Sequence, residues 1–118
     1  MDTPGKQMTD QLRAINPNNL PTAMGIAWYK PSTYAKCLAI FDDAADLADS
    51  FNSWFPKAQA LEQDLLRQGM EVIRVEIDPD TFPAWCAANG YTKIDKDARM
   101  HYGNLKAMEW AKSQGAEL

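Results

Sequence analysis

The chain has 118 residues, of which 46% are hydrophobic and 24% charged, and its formal net charge is −4. This length and balance predict one folded domain with a sizeable core, not a disordered chain. The negative charge and the scattered Lys and Arg residues argue against nucleic-acid binding, because affinity for phosphates depends on clustered cations. No segment approaches the roughly 20 apolar residues that a membrane span needs. We therefore expect neither a nucleic-acid partner nor a membrane association.

Residues 1–21 are predicted to form a flexible N-terminal arm, and residues 22–118 a single globular domain. The arm contains three prolines and few large apolar side chains, which disfavours a stable fold of its own. Within it, Thr9 is suited to cap one short helical turn, from which Leu12 and Ile15 would touch the body of the protein.

The two cysteines and the single histidine lack the spacing of a zinc site, so we expect no metal ion and no cofactor. Cys37 and Cys86 lie among apolar residues of predicted helices and are expected to be buried free thiols. Together with the absence of a signal-peptide pattern, this favours a reducing cytoplasmic location. His101 adjoins the apolar face of a predicted helix, and we interpret it as structural.

Two strands are predicted, over residues 22–29 and 70–77. The first alternates large residues with small ones, which would let a helix approach its small face closely. The second has one apolar face and one that becomes charged at Arg74 and Glu76. A long helical excursion separates the two strands, and this favours parallel pairing over a hairpin.

Four helices are predicted around these strands. The first follows Pro31, the third spans Thr81–Ala88 and the fourth runs from about Lys96 to Ser113. The second is long and runs to Gln68, with Asn52 or Ser53 as its cap and Gly69 just past its end. Its apolar stripe consists of Phe51, Trp54, Phe55, Ala58, Leu61 and Leu65. The order β-α-α-β-α-α predicts a small α/β or α+β domain, whose thin sheet a second copy could extend by dimerisation.

Both strands end in similar turns, "KPST" and "DPDT". Parallel strands would bring these turns to one edge of the sheet, where open α/β sheets usually bind ligands. A polar ligand-binding site is therefore one hypothesis, and the alternative is that Pro and the polar residues only cap the following helices. The candidate residues are Tyr29, Lys30, Ser32, Thr33, Asp78, Asp80 and Thr81.

The acidic run between the first two helices holds Asp42, Asp43, Asp46 and Asp49. It lacks the alternating spacing and the glycine of a calcium loop. We interpret it as a solvated connection, with a docking patch for a basic partner as the alternative.

The last helix is apolar on two faces, which predicts two packing partners. One face, with Ala98, Tyr102 and Met108 among its members, is assigned to the core. The other face would contact the arm or a second protomer, unless Gly103–Asn104 breaks the helix. Its members are Met100, Gly103, Ala107 and Trp110.

These observations lead to two hypotheses on function. The first is a non-enzymatic protein–protein interaction module that self-associates through the second face of the last helix, as a homo-oligomer or with another protein. The alternative is a small-molecule-binding protein or an enzyme that uses the polar site at the strand ends. The sequence leaves open whether the protein is an enzyme, and it shows no resemblance that would transfer residues from a known family.

Overall fold

The computed structural model describes residues 23–115, so the predicted arm of residues 1–21 lies outside the described residues. The predicted order of strands and helices is confirmed, with one added 3₁₀ turn in the acidic connection. The elements are β1 (Ala23–Trp28), α1 (Tyr34–Ile40), the 3₁₀ turn (Ala44–Asp46), α2 (Phe51–Arg67), β2 (Glu71–Glu76), α3 (Phe82–Ala88) and α4 (Lys96–Gly115).

The two strands form a parallel sheet, as predicted. Their register places Ala23 opposite Glu71 and Trp28 opposite Glu76. Just past the strands, the Ile77 N–H donates to the Trp28 carbonyl at 3.0 Å. The turns that follow β1 and β2 therefore lie at one edge of the sheet. The four helices and the parallel pair make this a small α+β fold.

Helix α4 packs closely on β1 at a pair of glycines. A Cβ built on Gly103 would lie 3.0 Å from the Gly25 carbonyl oxygen, and a Cβ on Gly25 would overlap the Gly103 carbonyl. Both residues must therefore lack a side chain for the backbones to approach this closely. Helix α4 also continues through Gly103 and Asn104, so the predicted alternative of a broken helix is wrong.

Helix α2 packs on the opposite face of the sheet. The Trp28 ring meets Trp54 edge-on, with ring centroids 5.0 Å apart, and Phe55 at 6.0 Å. On β2, the Arg74 guanidinium lies 4.0 Å over the Trp28 ring and donates to Glu62 of α2 at 2.7 Å. The charged half of the β2 face is therefore used to hold α2 in place.

Helix α2 begins earlier than the sequence predicted. Its N-cap is Ser50, whose Oγ accepts a hydrogen bond from the Ser53 N–H at 3.2 Å, so the prediction of Asn52 or Ser53 as cap is wrong. Pro56 consequently lies inside the helix, past its first turn. At the other end, Gly69 has a φ of +86° just after the C-cap, as predicted.

The core lies where α1, α3 and α4 meet the ends of the strands. Its largest fully buried side chains are Cys37, Ile77, Phe82 and Cys86. Both cysteines are free and buried, as predicted. Met108, assigned to the core face of α4, is instead 56% exposed. None of the helices within residues 23–115 is both long and apolar enough to cross a membrane.

Candidate functional site

The edge beyond the strand ends brings some of the predicted ligand-binding residues together. Lys30, Thr33 and Asp78 line a small concavity of about 270 Å³, together with Glu76, Ile77 and Pro79. The partner of Lys30 is Glu76, whose Oε2 lies 3.0 Å from the Lys30 Nζ. Both side chains are largely exposed, at 59% and 49%. We call this small concavity the rim.

The other predicted site residues do not line the rim. Tyr29 is buried in the core against Tyr34, with ring centroids 5.4 Å apart. Ser32, Asp80 and Thr81 are exposed and lie outside the concavity.

The predicted side-chain caps of α1 and α3 are also absent. The N-cap residues Thr33 and Thr81 make no side-chain capping hydrogen bond. In the second turn, Asp78 Oδ1 accepts from the Asp80 N–H at 2.9 Å. That oxygen therefore stabilises the turn itself.

The predicted interface stripe on α4 is divided between the core and the surface. Gly103 and Ala107 are buried, and Gly103 lies against Gly25 of the same chain. Met100 is 55% exposed and Trp110 is half-buried. Self-association through this helix stays a prediction, and only Met100 and Trp110 have surface to offer it.

The acidic connection and the histidine have structural partners. The Asp42 carboxylate accepts from the Ile94 N–H at 2.7 Å, which ties the connection to the segment before α4. Asp43 pairs with Arg99. His101 Nδ1 lies 2.8 Å from the Tyr91 hydroxyl. Among residues 23–115, no three His, Cys, Asp or Glu side chains converge in a way that could hold a metal ion.

A larger cavity of about 470 Å³ lies between α2 and α4, and we call it the groove. Four consecutive residues of β1, from Met24 to Ala27, line its floor. Side chains alternate between the two faces of a strand, so only the strand's edge can present all four to one cavity. Because β2 pairs with the other edge, the groove runs along the free edge of β1.

The backbone of this edge has no strand partner among residues 23–115. The Trp28 carbonyl points toward β2, since it accepts from Ile77 N–H. Strand carbonyls and amides alternate in direction, so those of Gly25 and Ala27 point away from β2, where the Gly25 carbonyl meets α4 at Gly103. No segment within residues 23–115 other than β2 pairs with β1. A free strand edge of this kind is a surface that other chains or ligands can engage.

The two walls of the groove are helical. Helix α2 contributes a stripe of Trp54, Ala58, Leu61 and Leu65, and α4 contributes Met100 and Asn104. Leu61, a member of the predicted apolar stripe, is 49% exposed, and Met100 is 55% exposed across from it. The groove is thus an apolar surface that the described residues leave uncovered.

The charged residues that line the groove are all cations: Lys57, Lys96 and Arg99. Arg99 is neutralised by Asp43, to which it donates two hydrogen bonds of 2.8 and 2.7 Å. This contact holds the pKa of the Asp43 carboxyl below its ordinary value. Lys57 and Lys96 form no ion pair with any residue in the described part of the chain. The groove is therefore a positive site in a chain of net charge −4.

The cations gather at the carboxyl end of β1. Arg99 lies 4.4 Å over the Phe41 ring, which in turn packs against Tyr29 just past the strand. Lys96 lies one turn before Arg99, and Lys57 one turn after Trp54, which contacts Trp28. Leu65 lies three helical turns beyond Trp54, so the far end of the groove is apolar.

The groove lining is suited to binding. None of its residues is a Ser, Cys, His, Asp or Glu. Burial raises the pKa of Tyr29, so its phenol is neutral at ordinary pH.

Comparison of this chain with protein-family models, with curated proteins and with solved structures gives no match. Its function therefore has to be inferred from the shape, lining and charge of its surfaces. On those grounds the groove is the strongest candidate site.

Part of the groove lining is visible in the sequence. The periodicity predicts the apolar stripe of α2 and the second apolar face of α4, but it does not indicate that the two flank one cavity. Lys57 and Lys96 carried no signal of their own, because an isolated lysine on a helix is ordinary surface.

Proposed function

We propose that this protein is a non-enzymatic binding protein that holds an anionic amphipathic small molecule in the groove. The observation that carries the proposal is an apolar cavity whose charged lining residues are all cations. A volume of about 470 Å³ falls within the range of small-molecule sites, which are mostly apolar with a few placed polar groups. A medium-chain carboxylate such as dodecanoate has this chemistry.

The polarity of the groove fixes how such a ligand would lie. Its negative group would sit between Lys57 and Lys96 at the carboxyl end of β1, and its chain would run toward Leu65. Burial of the chain supplies most of the binding free energy, at roughly 0.8 kcal/mol per CH₂ group. The two lysines supply the preference for an anion.

The same charges argue against a second copy as the occupant of the groove. If two copies met groove to groove, neither groove lining would offer a carboxylate to Lys57 and Lys96 of the other. Cations that stay unpaired in an interface disfavour association. An acid with an apolar chain has no such conflict.

Binding of dodecanoate to the full chain tests the proposal, measured by calorimetry and by displacement of anilinonaphthalene sulfonate. Leu61→Asp places a carboxylate at the groove, and we expect it to weaken binding by about tenfold or more, or about 1.4 kcal/mol. Leu66→Asp is the matched control, because Leu66 has a similar exposure of 44% on the same helix but does not line the groove.

A second pair of variants tests the charge. The double variant Lys57→Glu/Lys96→Glu should lose affinity for dodecanoate, whereas Lys36→Glu/Lys112→Glu changes the net charge equally and should retain it. Dodecylammonium should bind the unaltered protein more weakly than dodecanoate. Equal affinity in both double variants, or no binding of dodecanoate to the unaltered protein, would contradict the proposal.

Self-association as a homodimer is a second candidate function. It is favoured by the exposure of Met100 and Met108 on α4, at 55% and 56%. Large exposed apolar side chains of this kind commonly mark protein–protein contacts. Light scattering after size-exclusion chromatography tests it: Met100→Asp should dissociate an oligomer, and a monomer at high micromolar concentration contradicts this function.

We also propose that the protein works in a reducing compartment, the cytoplasm. The support is chemical: Cys37 and Cys86 are free and buried, and burial raises the pKa of both thiols. Subcellular fractionation of the source cell tests it, and recovery from an oxidising compartment would contradict it.

A further inference from the structure

The groove leaves apolar surface uncovered in the described part of the chain. Leu61 and Met100 are about half exposed on its two walls, and Met24 and Ile26 are only partly buried on its floor. Isolated proteins rarely leave a contiguous apolar surface of this kind open to water. Some segment or ligand is therefore expected to cover it.

A segment of the chain outside the described residues ends at the floor of the groove itself. Residues 1–22 lead directly into Ala23, the first residue of β1. Residues 16–22 can span at most roughly 23 Å when extended, and the six residues of β1 cover roughly 20 Å. Residues 8–15 can thus reach any point along the free edge of β1.

The sequence of residues 8–15 matches an apolar occupant. Leu12 and Ile15 lie three residues apart, which places them on one face of a helical turn. Thr9 is suited to cap that turn, so Met8 lies just before it, and Pro17 separates the turn from β1. A helix this short is marginal in water, so it would need a surface to pack on.

We propose that residues 8–15 occupy the groove when no ligand is bound, with Met8, Leu12 and Ile15 packed between Leu61 and Met100. The inference rests on the proposed function in that the ligand and this segment compete for one surface. A ligand must therefore compete with this segment for the groove. The apparent affinity for the ligand is its intrinsic affinity multiplied by the fraction of molecules in which the groove is free.

A nitroxide label on the full chain tests this inference without any ligand. Arg13→Cys places the label on the side of the segment opposite the apolar residues. Labelling is selective, because Cys37 and Cys86 are buried and burial raises the pKa of the Cys37 thiol to about 11. The amide signals of Ile26, Leu61 and Met100 should broaden more than those of Gly90 and Lys93, which do not line the groove.

Substitutions within the segment provide the control. Leu12→Asp/Ile15→Asp should abolish the extra broadening, and Leu20→Asp, outside the apolar face, should leave it in place. The same double variant should bind dodecanoate more tightly, by on the order of tenfold, because the competing segment is gone. Broadening at the groove that does not exceed that at Gly90 would overturn the inference.

The outcomes separate the two proposals. If dodecanoate binds no variant while the groove signals still broaden, the proposed function fails and the inference stands. If dodecanoate binds and its affinity is the same in all arm variants, the inference fails and the function stands. If broadening arises only between labelled and unlabelled copies in a mixed sample, the segment binds a neighbouring molecule. That result would overturn the proposal that it packs in the groove of its own chain.

Discussion

The rim and the groove are two concave surfaces on the same sheet, and they differ in how their charges are satisfied. At the rim, Lys30 lies 3.0 Å from Glu76 and both side chains are largely exposed. In the groove, Lys57 and Lys96 have no carboxylate partner among the described residues, and the surface between them is apolar. The rim is locally neutral, whereas the groove has two lysines without a carboxylate partner in the described part of the chain, beside an apolar surface.

This difference shows why convergence of polar residues is a weak indicator of a site. The parallel strands bring Lys30 and Asp78 to one edge, as the sequence predicted, but Lys30 forms its ion pair with the neighbouring Glu76. An exposed pair of this kind contributes little free energy and leaves no charge for a ligand. The groove has the opposite character. The Asp43 carboxylate pairs with Arg99 alone, and Lys57 and Lys96 have no ion-pair partner among residues 23–115.

The largest effect is expected from substitution of Arg99, which lines the groove at the carboxyl end of β1. The Arg99 and Asp43 side chains are 9% and 18% exposed, so Arg99→Met leaves a shielded carboxylate without its partner. We expect a loss of about 3–5 kcal/mol in the free energy of unfolding, measured with urea. Arg67→Met, which breaks the exposed pair with Asp64, should cost no more than about 1 kcal/mol. Equal losses would show that Arg99 is not the special contact.

The second test concerns the wall that α4 forms against β1. Gly25→Ala would place a Cβ on the Gly103 carbonyl and push the helix off the strand. We expect a loss of about 2–3 kcal/mol in the free energy of unfolding and a weaker affinity for dodecanoate. Gly90→Ala is the control: it meets no neighbour but has a φ of +84°, so it should cost about 1–2 kcal/mol and leave binding unchanged. A smaller loss for Gly25→Ala than for Gly90→Ala would contradict the close packing.

The third test is the dependence of the unfolding free energy on pH in acid. The Asp43 pKa is lowered, mainly by its hydrogen bond with Arg99, from an ordinary value of 3.8. A carboxyl with a lowered pKa in the folded state adds stability above the unfolded pKa, and that stability is lost as pH falls through the folded pKa. Unfolding free energy should therefore fall below about pH 4.

The Arg99→Met variant provides the control for this pH dependence, because it removes the cause of the shift at Asp43. Its stability should fall less steeply with acid than that of the unaltered protein. The Glu62 pKa is also lowered, by Arg74. The Glu62→Gln variant therefore measures how much of the loss of stability in acid is due to Glu62. An unchanged acid slope in Arg99→Met would contradict the assignment to Asp43.

The smallest effect is expected at the rim. Lys30→Met removes an exposed ion pair, so the unfolding free energy should change by no more than about 0.5 kcal/mol. Affinity for dodecanoate should not change, whereas Lys57→Met should lower it. A loss of ligand affinity in Lys30→Met would move the site from the groove to the rim.

The sequence by itself determined the element order, the parallel pairing and the burial of both cysteines. These follow from local and periodic signals: alternation in β1, the stripe of α2, Gly69 after its end and the long separation of the strands. Predictions failed where a single neighbour decided the outcome. The N-cap of α2 is one case, since Ser50, Asn52 and Ser53 are all competent caps and only packing chose among them.

Only the tertiary structure decided which apolar and charged surfaces remain uncovered. Pairing with β2 uses one edge of β1, and the crossing of α4 at Gly25 and Gly103 sets how close the groove wall comes to the other. The same crossing turned Gly103 and Ala107 inward and left Met100 outside. Lys57 and Lys96 lie on different helices, so their joint positive charge exists only once α2 and α4 flank one strand edge. Sequence periodicity specifies the faces of each element, but which faces meet is a property of the packed molecule.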